Sequence, residues 1–418
     1  MTNNVSARDE LHGGKKPQKS NAIDGRNPLA LTQKLIQCPS ITPLEAGALS
    51  LLEDILKSAG FQTNRLVFSS PNTPDVDNLY ARIGTGDPVL LLAGHTDVVP
   101  PGDLSLWDHN PFSGHIEDGI LYGRGACDMK SGVACMIAAT LRWLEKRSPQ
   151  DTSWGSIAFL ITGDEEAEAI NGTQRVLTWA HEHGQRFDAC LVGEPSSVSQ
   201  VGDRIKVGRR GSLSGTITVH GQQGHVAYPH RAKNPIPVLA ELILSLLHTP
   251  LDSGSTYFEP SNLEFTSVDV GNQASNVIPA AAKTLFNVRF NDQWTVKSLQ
   301  EEIAKRLGHV KTSLSYTLDF SPHVADVFVP LASSSPFIDQ MVQAVITKTA
   351  RTPELSTNGG TSDARFIKNY CPVMELGLCG DTMHKVNERV PLEDLETLTG
   401  LYEHILHIFF TERKENRS

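Results

Sequence analysis

Four short apolar runs in this chain each precede a turn with glycine, histidine or acidic residues, and this pattern constrains the fold more than any other feature. The runs are residues 89–93, 157–161, 189–192 and 373–376. Continuous apolar runs of this length are typical of buried strands in a parallel sheet. Elsewhere apolar residues recur at helical spacing, so the sequence predicts an α/β fold with a mostly parallel sheet flanked by helices.

Six side chains that can bind metal ions follow these runs or lie between them. They are His95, Asp128, Glu165, Glu166, Glu194 and His384. Taken singly, an acidic residue after a strand is usually a solvated turn residue or a helix cap. Because ligands gather at the carboxyl ends of the strands in an open α/β sheet, we expect the six to converge. Histidine and carboxylate clusters hold hydrolytic metal ions, so the set predicts such a site.

A pair of divalent ions fits this set because a carboxylate has two oxygens, and Asp128 could serve one ion with each. His95 and Glu194 would complete one ligand set, and Glu166 and His384 the other. Each ion then keeps a position for water, which marks a catalytic site. Two zinc ions per subunit are expected, and cobalt could replace them because imidazole and carboxylate ligands suit both metals.

Glu165 and Glu166 are adjacent, so they cannot both point at the same ion from an extended or turn backbone. One binds metal, and the other is free to act as general base on water, but their spacing does not decide which. Asp97 lies two residues after His95, on the same side of an extended chain, and could accept the other imidazole N–H. A simple turn aspartate explains its spacing equally well.

Length and charge narrow the classes of function. A chain of 418 residues is too long for one ordinary core, so two domains are expected. Its 37 Lys and Arg residues against 47 Asp and Glu residues give a net charge of −10. This balance disfavours a nucleic-acid partner, so small polar molecules are the expected substrates.

The cysteines, the lengths of the apolar stretches and the N-terminal residues indicate where in the cell the protein is expected. The six cysteines show no CxxC spacing, which favours reduced thiols in a cytoplasmic protein. No apolar stretch approaches the length of a membrane span, so no membrane partner is expected. Residues 1–26 are polar and lack the apolar region of a secretory signal, and we expect them to form a disordered tail.

Residues 211–322 interrupt the α/β pattern. Alternating apolar residues and two helical segments follow in the order β, α, β, β, α, β, which is the signature of a ferredoxin-like domain. A one-residue slip in the alternation between Phe265 and Val268 predicts a β-bulge. The catalytic domain is therefore discontinuous, with residues 27–210 and 323–414 on either side of the insert. The sheet of the inserted domain has edges that need cover, so we expect a homodimer formed through the inserted domain.

The metal-site motifs resemble those of the di-zinc aminoacylase, deacetylase and exopeptidase family. They are residues 94–100 (GHTDVVP), 122–130 (YGRGACDMK), 162–166 (TGDEE), 193–195 (GEP) and 383–388 (MHKVNE). A second group narrows the substrate within this resemblance: residues 209–213 (RRGSL), 224–230 (GHVAYPH), 276–279 (NVIP) and 357–365 (TNGGTSDAR). The resemblance covers roughly residues 28–410.

The resemblance implies an amide hydrolase that removes a succinyl group from a small amino-acid substrate with several carboxylates. It assigns Glu165 as general base, Glu166 as metal ligand and Asp97 as the partner of His95. It also assigns His225, from the inserted domain of a second subunit, to the oxyanion of the tetrahedral intermediate. The substrate contacts that it implies are Arg209, Ser212, Tyr228, Asn276, Arg289, Gly360 and Thr361.

Other interpretations remain open at this point. A sister activity, such as N-acetylornithine deacetylation or dipeptide cleavage, would use the same site, because a few pocket residues set the choice of substrate. A binding protein that has lost catalysis should lack the base or a ligand, and this chain keeps them all. Without the resemblance, Arg209 and Arg210 would be interpreted as a solvated basic turn. Gly380 departs from the pattern, since some relatives have Asn four residues before the final histidine.

Overall fold

The structure is a computed structural model that describes residues 23–148, 153–322, 324–329 and 336–415. The tail predicted over residues 1–26 lies outside the described residues as far as residue 22. Arg26 pairs with Asp24 and with Glu145, so residues 23–26 contact the folded domain.

The helices and strands of the described residues account for all the segments that the sequence pattern singled out. The helices are α1 Pro28–Ile36, α2 Ala48–Ser58, α3 Lys130–Glu145, α4 Thr173–Glu182, α5 Pro235–Leu247, α6 Val296–Gly308, α7 Pro336–Thr349, α8 Ala364–Ile367 and α9 Leu392–Glu415. The strands are β1 Gln62–Phe68, β2 Val76–Gly84, β3 Val89–His95, β4 His115–Glu117, β5 Ile120–Tyr122, β6 Ser156–Thr162, β7 Ala189–Val192, β8 Arg204–Lys206, β9 Gly211–His220, β10 Gly224–His225, β11 Asn262–Asp269, β12 Val277–Ile278, β13 Ala281–Phe290, β14 Ser315–Phe320, β15 Glu354–Ser356, β16 Val373–Glu375 and β17 Arg389–Pro391. Asn27 and Asn234 cap α1 and α5 by accepting a backbone N–H, and each helix then starts with proline.

The central sheet has eight strands in the order β1-β2-β6-β3-β7-β16-β8-β15. Strands β6, β3, β7 and β16 run parallel to one another, and β1 and β2 form an antiparallel edge. Every residue of β3 and β6 is buried, as expected for strands covered by helices on both faces. The predicted α/β fold with a mixed, mostly parallel sheet is confirmed.

Helices cover the central sheet in two layers. One hydrophobic core joins the sheet to α1, α2, α3, α7 and α9, and a second core joins it to α4 and α8. Strand β16 lies between β7 and β8. Segments from both sides of residues 211–322 therefore complete one sheet.

Residues 211–320 form a separate antiparallel sheet in the order β11-β13-β9-β14. It shares a hydrophobic core with α5 and α6, and the chain order is β9, α5, β11, β13, α6, β14. Burial alternates along β9 and β13, so one face of the sheet carries the core. The register of β11 against β13 shifts between Phe265 and Ser267, which confirms the predicted bulge.

A small three-stranded sheet, β17-β5-β4, links two loops that are distant in sequence, and β10 and β12 form a two-stranded sheet. Arg389 of β17 pairs with Tyr122 of β5. This pairing brings the segment that ends at Glu388 beside the segment that starts at Gly123, and both lead to predicted metal ligands. In the described part of the chain, no helix has the length and apolar character needed to cross a bilayer.

Candidate metal centre

Three of the strands that run parallel deliver predicted ligands to one edge of the central sheet. His95 is the last residue of β3, Glu166 follows β6 and Glu194 follows β7. Because β6, β3 and β7 are adjacent and parallel, their carboxyl ends coincide. A glycine permits the close packing there, since a Cβ on Gly377 would lie 2.3 Å from the carbonyl oxygen of Glu194.

Asp128 stands between the two histidines and presents one carboxylate oxygen to each. Its Oδ1 lies 3.2 Å from His95 Nε2, and its Oδ2 lies 3.2 Å from His384 Nε2. His384 adopts a left-handed backbone conformation, with φ of 61°, which directs its ring back from the loop after β16. The structure thus brings together residues from three distant parts of the chain around one carboxylate.

The remaining predicted ligands lie on the two sides of Asp128. Glu194 Oε1 is 3.7 Å from His95 Nε2, and Glu166 Oε1 is 3.0 Å from His384 Nε2. Glu165 falls on the first side, because its carboxylate lies in a group with His95 and Glu194 whose ligand atoms are all within 4.8 Å of one another. Glu166 lies in a similar group with His95 and Asp128, so the two adjacent glutamates share His95 as a neighbour and differ in Glu194 and His384.

Asp97 contacts both His95 and the loop that carries the two glutamates. His95 Nδ1 lies 2.9 Å from the main-chain oxygen of Asp97 and 3.5 Å from its Oδ1. The Asp97 carboxylate also accepts the backbone N–H groups of Glu165 and Glu166. Asp97 is fully buried, so it fixes the imidazole and the loop together, which a simple turn aspartate would not do.

Burial and the packing of like charges shift the pKa values of the cluster. Burial raises the pKa of Glu194 to about 8, with a further contribution from the charge of Asp128. Burial and then Glu194 raise the pKa of Glu165 well above its usual range. Hydrogen bonds with Asp128 and Glu166 raise the pKa of His384 to about 10. Carboxylates this close together are stabilised by positive charge, which a divalent cation supplies.

The two histidines hold the pKa of Asp128 low. Burial acts in the opposite direction, but the hydrogen bonds with His384 and His95 outweigh it. Burial would also lower the pKa of His95, yet the contacts with Asp128 and Asp97 raise it well above its usual range. Asp128 therefore stays ionised.

Glu388 organises the loop before Asp128, although the sequence pattern did not single it out. Its fully buried carboxylate accepts the backbone N–H groups of Gly125, Cys127 and Asp128. It also pairs with Arg124 at 2.7 Å. One sequence feature could have pointed to Glu388: it lies in the motif of residues 383–388, four positions after the predicted ligand His384.

Arg209 is buried beside the centre rather than in a solvated turn. Its guanidinium pairs with the fully buried Glu375 of β16 and donates from Nη1 to the carbonyl oxygen of Gly360 at 3.0 Å. Burial opposes the charge on Arg209, but the Glu375 pair keeps its pKa above the usual value. The Ser362 hydroxyl donates to the same carboxylate. The sequence feature that could have predicted the burial of Arg209 is Glu375, because an acidic residue inside an apolar run indicates a buried ion pair.

Four of the other predicted substrate contacts fall into two groups. Ser212 and Arg289 are directly opposed on β9 and β13, at the start of the second sheet, and both are half-buried. Gly360 is exposed and Thr361 is half-buried, and both lie in the loop before α8. Through Arg209, this loop is joined to the edge of the sheet that carries the metal ligands.

His225, Tyr228 and Asn276 form a group of their own on the inserted segment. The rings of His225 and Tyr228 are 5.7 Å apart, and the carbonyl oxygen of Asn276 accepts the N–H of Val226. His225 is exposed, and its Nδ1 accepts the N–H of Ala227. Among the described residues, the hydrogen bonds, strand pairing and ring contact of His225 stay within residues 224–228 and 277–278, so one chain does not bring it to the predicted metal ligands.

The sequence of this chain matches one protein family. A sequence model of peptidase family M20/M25/M40 matches residues 91–408. A succinyl-diaminopimelate desuccinylase from Methylobacterium nodulans is 57% identical over 385 residues, which cover 92% of this chain and 96% of that protein. One from Rhodopseudomonas palustris is 56% identical over 383 residues, covering 91% and 98%. A dinuclear metal-binding M20 peptidase from Bacillus subtilis has a similar fold, with a TM-score of 0.65 at 15% identity, covering 92% of this chain and 98% of that one.

Proposed function

The chain belongs to peptidase family M20/M25/M40, and on that premise we propose the reaction, the metal pair and the assembly described here. The reaction is hydrolysis of the amide bond of N-succinyl-LL-2,6-diaminopimelate to give succinate and LL-2,6-diaminopimelate, a precursor of lysine and of the cell wall. Sequence identity of 57% across 92% of the chain supports this substrate. The structural observation that carries the chemistry is Asp128, which presents one oxygen to each histidine.

The family is metal-dependent, and the donor set fits two zinc ions per subunit, with cobalt as a substitute. One ion would be held by His95, Glu194 and Asp128 Oδ1, and the other by Glu166, His384 and Asp128 Oδ2. In support, the two histidines lie at 3.2 Å from opposite oxygens of Asp128. Ions held there supply Lewis acidity that polarises the scissile carbonyl and lowers the pKa of bound water.

Glu165 is the general base of this proposal. Its carboxylate lies beside His95 and Glu194, while Glu166 pairs with His384. Burial beside Glu194 raises the pKa of Glu165, so the carboxylate takes up a proton more readily than an exposed one. Glu165 would accept a proton from the attacking water and deliver it to the amine that leaves, which completes the proton balance of the hydrolysis.

Arg209 is proposed to recognise a carboxylate of the substrate. Its Nε and Nη2 both donate to Glu375, and its Nη1 donates to the carbonyl oxygen of Gly360, so the planar guanidinium is held at a fixed angle. A guanidinium binds carboxylates through paired donors, and a fixed one does so with little loss of side-chain freedom. The further contacts proposed for the succinylated substrate are Ser212, Tyr228, Asn276, Arg289, Gly360 and Thr361.

We propose that the chain forms a homodimer through residues 211–322 and that His225 acts across the interface. Strands β11 and β14 end the four-stranded sheet on its two sides, and unpaired edges favour strand addition. Helix α5 also exposes Ile236, Leu244 and Leu247. His225 of a second subunit would donate to the oxyanion of the tetrahedral intermediate. The exposed position of His225 supports this arrangement.

A cytoplasmic location is proposed with this function. All six cysteines are free thiols, and four of them are buried, which suits a reducing compartment.

The experiment that tests the reaction compares three substrates under the same conditions. Succinylated diaminopimelate should be hydrolysed with a kcat/KM at least ~10²-fold above those of N-acetylornithine and unmodified dipeptides, because a site built around a second carboxylate leaves buried donors unpaired without it. Arg209→Lys should reduce kcat/KM for the succinylated substrate, since lysine cannot bind in the same bidentate way. Preference for an acetylated substrate or a dipeptide would refute the assignment.

A further inference from the structure

A second cluster of metal-ligating side chains lies outside the catalytic centre, in the small β17-β5-β4 sheet. It consists of His109, His115 and Glu117, whose ligand atoms all lie within 4.8 Å of one another. We propose that these three residues bind a third divalent transition-metal ion, distinct from the catalytic pair. Two imidazoles and one carboxylate are a ligand set that zinc and cobalt accept, with water completing the coordination.

The spacing of the ligand atoms fits a small ion. Zinc is bound at about 2.0–2.2 Å by nitrogen and oxygen, so tetrahedral neighbours are about 3.4 Å apart. His109 Nε2 lies 3.3 Å from Glu117 Oε2. The rings of His109 and His115 are 3.8 Å apart with an interplanar angle of 27°. The ligand atoms of all three residues already lie within 4.8 Å of one another, and the last side-chain torsion of histidine is soft, so the rings can adjust to an ion.

The local fold explains why these side chains meet. His115 and Glu117 are two positions apart on β4, so they lie on the same face of the strand. Pairing of His115 with Tyr122 holds β4 on β5, and the Tyr122 ring also meets His109 edge-on at 5.2 Å. His109 is thereby kept over the two strand residues. The side chains of His109 and Glu117 are 26% and 57% exposed, so an ion can enter from solvent.

The cluster is connected to the loop that carries His384. Asp108, next to His109, donates its N–H to Asn387 Oδ1 and accepts from Asn387 Nδ2 at 2.7 Å. Asn387 lies in a left-handed conformation, with φ of 57°, three residues after the catalytic ligand. An ion bound at the cluster would restrain His109, and through Asp108 it would stabilise this loop.

A simpler explanation of the cluster is a stacked histidine pair in which His109 forms an ion pair with Glu117. The two explanations differ in one measurable property. The ion pair needs no metal and gives no saturable metal binding beyond the catalytic pair.

The test is a titration of cobalt into enzyme that already carries two zinc ions per chain and has been freed of excess metal. One further equivalent should bind with a Kd of about 10 μM or tighter, with the visible absorption of cobalt held by imidazole. His115→Ala should abolish this equivalent, and Glu117→Gln should weaken it at least ~10-fold. His220→Ala, an exposed histidine on β9, is the matched control and should bind as wild type.

His115→Ala and Glu117→Gln should both keep two zinc ions and hydrolyse substrate at the wild-type rate, which shows that they are folded. The proposal is overturned if wild-type enzyme takes up no further equivalent, or if the equivalent persists undiminished in both His115→Ala and Glu117→Gln.

Discussion

At the scale of single residues, the clearest contrast in the centre is between the neighbours Glu165 and Glu166. Both glutamates lie near His95, but the side chain of Glu166 is 7% exposed and pairs with His384, whereas Glu165 lies beside Glu194. The sequence established that the two must have different roles, because adjacent side chains diverge. It could not assign the roles, because the neighbours that distinguish them come from the loop after β7 and the loop after β16.

Exchanging each glutamate for glutamine should separate these roles. Glu165→Gln should lower kcat by about 10²–10⁴-fold with both metal ions still bound, because an amide cannot accept a proton from water. Glu166→Gln should instead reduce the occupancy of one site, which elemental analysis would detect. Loss of metal in Glu165→Gln and retention in Glu166→Gln would show that the assignment is reversed.

Glu388 is the residue whose importance the sequence least revealed. Glu388→Gln should lower the free energy of unfolding by about 3–5 kcal/mol, because it leaves the buried charge of Arg124 uncompensated and turns one acceptor of backbone N–H groups into a donor. It should also weaken zinc retention, since the N–H of Asp128 is one of those groups. Denaturant unfolding and zinc analysis measure the two effects.

Glu354→Gln is the matched control for Glu388→Gln. Glu354 pairs with Arg204 but is 53% exposed, so its loss should change the free energy of unfolding by about 1 kcal/mol or less. Equal effects of the two changes would mean that burial of the Glu388 pair has no structural role.

At the scale of elements, the sequence predicted well what depends on local pattern. The strands that end at the metal ligands, the proline-led helix α5 and the bulge in β11 all follow from periodicity, capping and turn residues. The three-stranded sheet could not be predicted, because β4, β5 and β17 are three residues long and their pairing is set by distant parts of the chain. The same limit hid Glu375, whose partner Arg209 lies 166 positions away.

Close packing of the strand ends gives a prediction at this scale. Gly377→Ala should displace Glu194, because the added Cβ would lie 2.3 Å from the carbonyl oxygen of that residue. Zinc affinity and kcat should both fall, and thermal unfolding should occur at a lower temperature. Metal titration and calorimetry measure these effects.

Gly400→Ala is the matched control, because Gly400 lies within α9 and a Cβ there meets nothing within 4 Å. Alanine should stabilise that helix by about 0.5–1 kcal/mol and leave zinc binding unchanged. If Gly377→Ala binds zinc as tightly as Gly400→Ala, the strand ends are less closely packed than the structure indicates.

At the scale of the whole molecule, the predicted ligands lie at one edge of the central sheet, outside the hydrophobic cores on its two faces. Chelation should therefore abolish hydrolysis without unfolding the chain, and zinc or cobalt should restore it. The metal-free protein should lose stability as the pH rises from about 4.5, the usual Glu pKa, to the raised value of about 8 for Glu194. Across that range the folded state holds a proton that the unfolded state has released.

His384 also makes the metal-free protein less stable as the pH rises, since its pKa increases from 6.5 in the unfolded chain to about 10 in the folded one. Glu194→Gln should flatten the decline of the unfolding temperature below pH 8, and zinc loading should remove most of it in the unaltered chain. Stability of the metal-free chain that increases with pH over this range would contradict the ionisation states described for the centre.

A mixed dimer tests assembly and catalysis together. Dimers that pair a Glu165→Gln subunit with a His225→Ala subunit should regain activity at one of their two centres if His225 acts across the interface, because one centre then has an intact base and an intact partner histidine. His225→Ala alone should lower kcat by about 10²–10³-fold with metal and dimer retained. Verified mixed dimers with no recovery would exclude action across the interface, and an active monomer would exclude the dimer as a requirement.

The position of β16 between β7 and β8 also determines when the centre can form during synthesis on the ribosome. Strands β9 to β14 find their partners among themselves, so they can pair as soon as they emerge. The first sheet must wait, because its contacts span large separations, such as the 181 positions between Ser196 and Gly377. A nascent chain that ends before β16 has no strand to fill the gap between β7 and β8, and it lacks both His384 and Glu388. The enzyme therefore acquires the last ligand of its centre only when nearly the whole chain has been made.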